Sequence, residues 1–341
     1  MIYTKIRDRE FLCEYDLDIS LFKRFDLNVY DVVPIRKAFI VCTDKGNKIL
    51  KKIDYPIEEL HFISKVLKYI NQKFDRTIKF VKTHDNQIYS IWNDDVYCIM
   101  NLVKGRECEY SNPVDVEIVT QALAQFHRAG EGIIKKINYD NKNYAGKLIN
   151  ILKRKKEEMI FFKNIANWYE SKSKFDLIFL DNVDYNLNEI DRSIDIIQKS
   201  DYFKLSNEED NLVLCHHDLA HHNILINDSE AYFIDFDYSV IDLKIHDLCN
   251  FITKVVKRFD YDIEKANDIL DIYTRYYTLN KDELEVLYGM FVFPEDFYSI
   301  ARGYYTKRKN WSSEVFLSKL ERKVNLQEPK QEFLDDFREN L

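Results

Sequence analysis

Apolar and polar positions alternate in short runs over the first hundred residues, and then the period changes. Residues 37–43 (KAFIVCT) and 47–53 (NKILKKI) flank Asp44-Lys45-Gly46, which predicts two strands joined by a hairpin. After Pro56, the recurrence of Leu60, Ile63, Leu67 and Ile70 predicts an amphipathic helix over 57–72. Residues 77–83 (TIKFVKT), 88–94 (IYSIWND) and 95–103 (DVYCIMNLV) return to the strand pattern, with a turn at Asn93-Asp94-Asp95. These elements make a small antiparallel sheet with one helix inserted.

From about residue 104 the texture is helical. In 114–130 (VDVEIVTQALAQFHRAG), Ile118, Ala122 and Phe126 share one face, so a buried helix closed by Gly130 is expected. Residues 140–210 read as long, charged helices. Short strands return at 212–215, 223–226 and 231–235, and the remainder to 341 is helical again. The pattern divides the chain into 1–103, a sheet lobe, and 104–341, a helical lobe with an insert at about 135–210. The fold class is therefore α+β.

Composition narrows the function classes. The 341 residues are 46% hydrophobic and 32% charged, a globular balance. A net charge of −8 gives no electrostatic footprint for nucleic acid, and the basic run 153–158 (KRKKEE) reads as a solvated helix face. No run of about 18 apolar residues occurs, so no membrane span is expected. The charged first fifteen residues have no apolar core for a signal peptide. The six cysteines, Cys13, Cys42, Cys98, Cys108, Cys215 and Cys249, form no CxxC pair and fit a reducing, cytoplasmic setting. Glycine is scarce, at 7 residues, so a phosphate site here must do without a glycine-rich cradle.

The chemistry concentrates in 213–248, VLCHHDLAHHNILINDSEAYFIDFDYSVIDLKIHDL. It contains H216-x-D218-x4-N223 and, eleven residues on, Ile234-Asp235-Phe236-Asp237. Phosphoryl transfer needs a carboxylate to orient a hydroxyl and accept its proton, and hard oxygen ligands to hold Mg²⁺ against nucleotide phosphates. An Asp and an Asn five residues apart, with a second Asp after a β-turn-β element, supply those groups. His216, His217, His221 and His222 could instead bind zinc, but HH-x3-HH is not a familiar ligand spacing. His127, at its helix end, and residues 301–311 (ARGYYTKRKNW), a partly basic packed helix, have structural readings.

This stretch resembles the aminoglycoside-phosphotransferase/choline-kinase branch of the protein-kinase-like fold, where an IDxE/D motif replaces the protein-kinase D-F-G. Within that branch the chain is most similar to the CotS family of bacterial spore coat proteins, through 34–53, 123–127, the loop and 234–248. The resemblance implies a small antiparallel-sheet N-lobe with one helix and a larger helical C-lobe. It implies Asp218 as catalytic base, His216 as the buttress of the catalytic loop, and Asn223 and Asp235 as metal ligands. Asp247 matches a residue that tethers the loop. Lys51, with Lys52 as rival, matches the phosphate-binding lysine, and Glu59, with Glu58 close behind, its helix partner. Residues 99–105, with Asn101 and Leu102, match the hinge that meets adenine. One departure is plain: a glycine-rich loop belongs around 30–42, yet that stretch contains no glycine.

The implied cofactors are ATP or GTP with Mg²⁺, and the implied acceptor is a small molecule, since no activation segment or A-P-E motif follows IDFD. Other spore coat proteins are the implied protein partners, with assembly into the coat after cytoplasmic synthesis. The alternatives are an inactive coat component built on the same scaffold, and a kinase acting on coat proteins.

Overall fold

A computed structural model of the chain describes residues 17–137 and 140–341. Cys13 and the charged N-terminal stretch lie outside the described residues, as do two positions of the 135–210 insert. The fold is α+β and divides into two compact units, 1–108 with 221–239, and 109–220 with 240–341. The segment carrying Asn223 and Asp235 thus belongs to the first unit, and Asp218 to the second.

The first unit opens with a short helix, α1 (Ile19–Lys23), capped by the Asp18 carboxylate on Ser20 N at 2.7 Å. The sheet follows: β1 (Val29–Ile35), β2 (Ala38–Thr43), β3 (Lys48–Ile53), then α2 (Ile57–Ile70), β4 (Phe80–Val81), β5 (Ser90–Trp92) and β6 (Asp95–Asn101). Strand order is β1-β2-β3-β6-β4, with β5 also on β6. The 37–43 and 47–53 hairpin forms as β2 and β3, antiparallel, pairing Ala38 with Lys51 and Phe39 with Leu50. Its alternation buries Phe39, Val41 and Leu50, and α1 closes that face with Leu21, Phe22 and the following Phe25 and Leu27. The local sequence gave no helical period for this five-residue helix; burial of its apolar cluster makes it. Of the strand expected over 77–83, only Phe80–Val81 pairs.

Residues 106–107 form β7 (Arg106–Glu107), which pairs with β9 (Ile224–Asn227), itself hairpinned to β10 (Glu230–Phe233). The hairpin is fixed to the end of α2: Phe233 N donates to Arg76 O at 3.0 Å, and the rings of Phe74 and Phe233 stack at 6.0 Å. Gly105 (φ +153°) is required here, because a Cβ would stand 2.8 Å from Ile226 O.

The second unit begins with α3 (Pro113–Ala129), N-capped by Asn112. Ala122 and Phe126 are buried as the spacing predicts, with Ile118 at the edge of that face. Gly130 is right-handed at φ −80°, so its use is not a left-handed cap. A Cβ there would meet Leu214 N at 3.2 Å, on β8 (Leu212–Cys215). Helices α4 (Leu148–Trp168) and α5 (Lys174–Lys199) run antiparallel in sequence order and share ion pairs such as Lys156–Asp191 at 2.6 Å, so the basic run is a solvated helix face knitted to its neighbour. A short α6 (Tyr202–Asn207) leads into β8, which pairs with β11 (Val240–Leu243); every residue of both strands is buried. The helices α7 (Ile245–Val256), α8 (Ile263–Thr274), α9 (Lys281–Val292), α10 (Glu295–Tyr305), α11 (Ser313–Asn325) and α12 (Gln327–Glu339) complete the unit. The helix expected over 301–311 stops at Tyr305, whose neighbour Tyr304 stacks on Phe175 at 3.8 Å. No helix among the described residues is long and apolar enough to cross a membrane.

Candidate functional site

In the first unit the site is built around Lys51. It lies on β3 opposite Cys98 of β6, and its Nζ is 2.6 Å from both Asp235 Oδ1 and Asp237 Oδ2. Lys52 faces the other way, as alternation requires, and pairs with Asp95 at 2.7 Å on the exposed face. Burial works against the Lys51 ammonium, but the two carboxylates outweigh it and raise its pKa. Burial raises the Asp237 carboxyl, with Lys51 opposing. Tyr55, next to β3, donates its hydroxyl to Asp237 Oδ1 at 3.1 Å. Glu59 sits in the first turn of α2 and is not among the ion-pair partners of Lys51; the carboxylates of the IDFD segment take that place. Asp237 is the residue that sequence reasoning left without a role, although the second acid of IDFD marked it.

Asp235 follows β10 with φ +64°, a left-handed conformation that costs a non-glycine residue free energy and turns its carboxylate back toward β3. The residue before it is tied to the loop, since Ile234 N donates to Asn223 O at 2.9 Å. Asn223, at the end of a 3-10 turn (His221–Asn223), is buried. The backbone bond sets Asn223 beside the segment that leads to Asp235 and Asp237, which brings one amide and two carboxylates to one segment of one unit. That hard-oxygen donor set fits magnesium and not zinc.

The stretch where a glycine-rich loop belongs is a hairpin with a two-residue turn, Arg36-Lys37, between Ile35 and Ala38. Arg36 takes φ +52°, a position that usually calls for glycine, and its guanidinium pairs with Glu107 at 2.6 Å. At the hinge, Asn101 N donates to Lys79 O at 2.9 Å and Leu102 N to Asn47 O at 3.4 Å, so both N–H groups are engaged within the unit.

In the second unit Asp218 is held from below. His216 is fully buried, and its Nδ1 accepts from Asp218 N at 3.3 Å. Asp247, from the first turn of α7, accepts from His216 N at 2.6 Å and His217 N at 2.8 Å, the latter residue at φ +61°. His127 Nε2 donates to Asp247 Oδ2 at 3.1 Å, and Tyr273 donates its hydroxyl to His127 Nδ1 at 2.8 Å. Burial keeps His127 neutral. Burial alone would raise Asp247, but the hydrogen bond from His127 holds its carboxyl well below the usual range, as fits an anion that also receives two backbone N–H groups. Tyr110 donates its hydroxyl to Leu219 O at 2.6 Å, fixing the residue after Asp218. The Asp218 carboxylate itself is about one-third exposed, with Lys254 Nζ of α7 at 3.6 Å. Burial lowers the Lys254 pKa, and Asp218 pulls it back up. Lys254 had no sequence signal: it is one lysine on a helix 36 residues downstream.

The loop histidines do not make one metal nest. His217 stacks on His246 of α7 at 5.5 Å, with Asp242 of β11 beside both, while His221 and His222 lie edge to face in the first unit.

Comparison with known proteins places the chain. The family model described as "Spore coat putative kinase YutH" matches residues 18–337. Spore coat protein S of Bacillus subtilis (strain 168) is 26% identical over 308 residues, covering 89% of this chain and 87% of that protein. An aminoglycoside phosphotransferase from Alicyclobacillus acidocaldarius superposes with a TM-score of 0.83 at 18% identity, covering 95% of this chain and 96% of that one. Spectinomycin phosphotransferase in complex with ADP and spectinomycin gives a TM-score of 0.65 at 15% identity over 94% and 98% of the two chains. Amicoumacin kinase in complex with AMP-PNP and Ca²⁺ gives 0.61 at 14% identity over 98% and 99%. The fold is the protein-kinase-like fold of these phosphotransferases.

Proposed function

The chain belongs to the spore coat putative kinase YutH family, and we propose that it is an ATP- and Mg²⁺-dependent phosphotransferase acting on a hydroxyl group of a small molecule. The observation that carries this reading is the grip of Asp235 and Asp237 on Lys51, each at 2.6 Å. Two carboxylates around one partly buried lysine form the kind of charged cluster that functional sites concentrate. The same side chains are the ones that nucleotide phosphates and a divalent ion require.

Lys51 would bind phosphate oxygens, with its ammonium oriented by Asp237. Asn223, Asp235 and Asp237 would hold magnesium, which neutralises phosphate charge when bound. Asp218 would orient the acceptor hydroxyl and take its proton, and Lys254 would bring a positive charge to that carboxylate. His216 and Asp247 position Asp218 through the loop backbone. Adenine recognition would fall to the hinge, residues 99–105, through groups other than the Asn101 and Leu102 N–H. Nucleotide complexes of phosphotransferases with this fold support the assignment. The relationship to spore coat protein S supports assembly into the spore coat.

A second reading, a coat component whose site no longer turns over, is favoured by the β1–β2 turn: it has no glycine, and Arg36 is clasped by Glu107. Calorimetry with ATP and Mg²⁺ separates the two. Binding at millimolar nucleotide or tighter is expected, with Lys51→Met and Asp235→Ala each weakening it at least ten-fold. Absence of binding at 5–10-fold higher nucleotide would leave only the scaffold.

A further inference from the structure

Next to Asp218 and its loop, the second unit contains a cavity of about 510 Å³, walled by α4, α5, α7 and the α9–α12 region and lined by His217 and Lys254 among others. Its size is that of a small-molecule site. Five buried side-chain atoms among the described residues have no hydrogen-bond partner, and four line this cavity: His217 Nε2, His246 Nε2, Asn250 Oδ1 and Gln327 Nε2. Asp242 Oδ2 stands 3.6 and 3.5 Å from the two imidazole nitrogens, close enough for attraction but too far for a good hydrogen bond. An unsatisfied buried polar atom is costly, so natural proteins rarely leave one. Four in one cavity mark a place where a polar molecule would supply the missing partners.

The charged side chains of the same cavity say which kind. Asp296 Oδ2 is shared by Lys257 at 2.7 Å and Lys323 at 3.2 Å. Lys330, also lining the cavity, gives its ammonium only to the carbonyl oxygens of Val292 and Phe293, both at 3.1 Å. Asp296 thus stands among three half-buried lysines, and Glu189 is the other carboxylate that acts on Lys330. Burial lowers the pKa of Lys323 and pushes that of Lys330 down to about 8, the response of cations with too little negative charge around them. Lys254, on the same cavity wall, connects it to Asp218.

We propose that this cavity binds a small hydroxylated anion, a sugar-sized compound carrying a phosphate or a carboxylate, with the anionic group on Lys257 and Lys323 and the hydroxyls on His217, His246, Asn250 and Gln327. Its role as the phosphate acceptor rests on the phosphotransferase reading; the binding itself does not.

The test is calorimetry on the full chain with glucose 6-phosphate, gluconate, glucose and spectinomycin, each with and without ATP and Mg²⁺. At least one of the two anions should bind ten-fold or more tighter than glucose and spectinomycin. Lys257→Gln and Lys323→Gln should each weaken that anion about ten-fold while leaving ATP affinity within two-fold. Gln327→Leu, which spares the lysine cluster, should weaken it about three-fold if either lysine variant melts early. No anion binding at millimolar concentration, glucose or spectinomycin binding as tightly as the anions, or affinity indifferent to all three substitutions would overturn the proposal. Anion binding without ATP binding would keep this cavity assignment and remove the phosphotransferase reading; ATP binding without anion binding would do the reverse.

Discussion

Asp247→Ala is expected to lower the melting temperature by roughly 6–20 °C and to abolish ADP release. Removing one partner of a buried charged network costs about 3–5 kcal/mol, and a kcal/mol shifts the melting of a unit of this size by roughly 2–4 °C. The loss is large because three donors depend on this one carboxylate: His216 N, His217 N and His127 Nε2, at 2.6, 2.8 and 3.1 Å. The His216 and His127 donors cannot reach water, since both residues and Asp247 are fully buried. Asp247→Asn keeps one acceptor oxygen but turns an amide N–H toward a donor, so it should fall between. Activity is lost along with stability because the His216 and His217 amides set the backbone path to Asp218. A melting temperature within 2 °C of the parent would show that Asp247 does not hold the loop.

The same network fixes the response to acid. His127 is kept neutral by burial, so below about pH 6.5 the unfolded chain gains a proton that the folded one refuses, and stability declines as pH falls. Asp247, whose folded pKa is depressed, contributes stability that is fully present above about pH 3.9, the unfolded value, and is lost only as pH falls further. Melting curves across pH 3–8 should therefore show a first decline from about pH 6.5 and a steeper one below about pH 4. In Asp247→Ala the second limb should be absent. If both proteins decline in parallel throughout, the depressed Asp247 is not the source of the acid limb.

The parts that could be read from the sequence were those written in local spacing. The β2–β3 hairpin and α2 follow from periods of 2 and 3.6 around Asp44-Lys45-Gly46 and Pro56. The Asp218, Asn223 and Asp235 spacing carried the family resemblance. What stayed hidden depends on contacts between distant segments. Alternation says that Lys51 and Lys52 face opposite ways, but both faces are only partly buried, so only the arrival of Asp235 and Asp237 from 184 and 186 residues away distinguishes them. The α1 segment has too few residues to show a period and is helical because Leu21 and Phe22 find Phe39, Val41 and Leu50. β11 was invisible as a strand because Ile241 and Asp242 read as part of the acidic motif, and its pairing with β8 is non-local. Lys254, His246 and Asn250 look like ordinary residues of an amphipathic helix; only the fold shows that one side of α7 lines a cavity.

Asp218→Asn should reduce turnover by about 10²–10⁴-fold, the usual worth of a general base, while leaving ATP affinity within three-fold, because a base acts on the acceptor hydroxyl and not on the nucleotide. ADP release, with water or a small-molecule extract as acceptor, is the readout. Lys254→Met should cost about ten- to a hundred-fold by the same readout, and Lys254→Arg should recover part of it. The reason is the 3.6 Å approach of Lys254 Nζ to the Asp218 carboxylate on a side chain that is otherwise mostly buried. Met keeps the aliphatic packing of the lysine stem and removes only the charge. The double variant then discriminates mechanism from structure. If the lysine acts through Asp218, the double variant is no slower than Asp218→Asn alone, since groups that act as a unit are strongly non-additive. If the losses multiply, Lys254 serves a separate step. Should both single variants release ADP as fast as the parent, neither residue works on the acceptor, and the base must be sought elsewhere than in the loop that His216 and Asp247 hold so tightly.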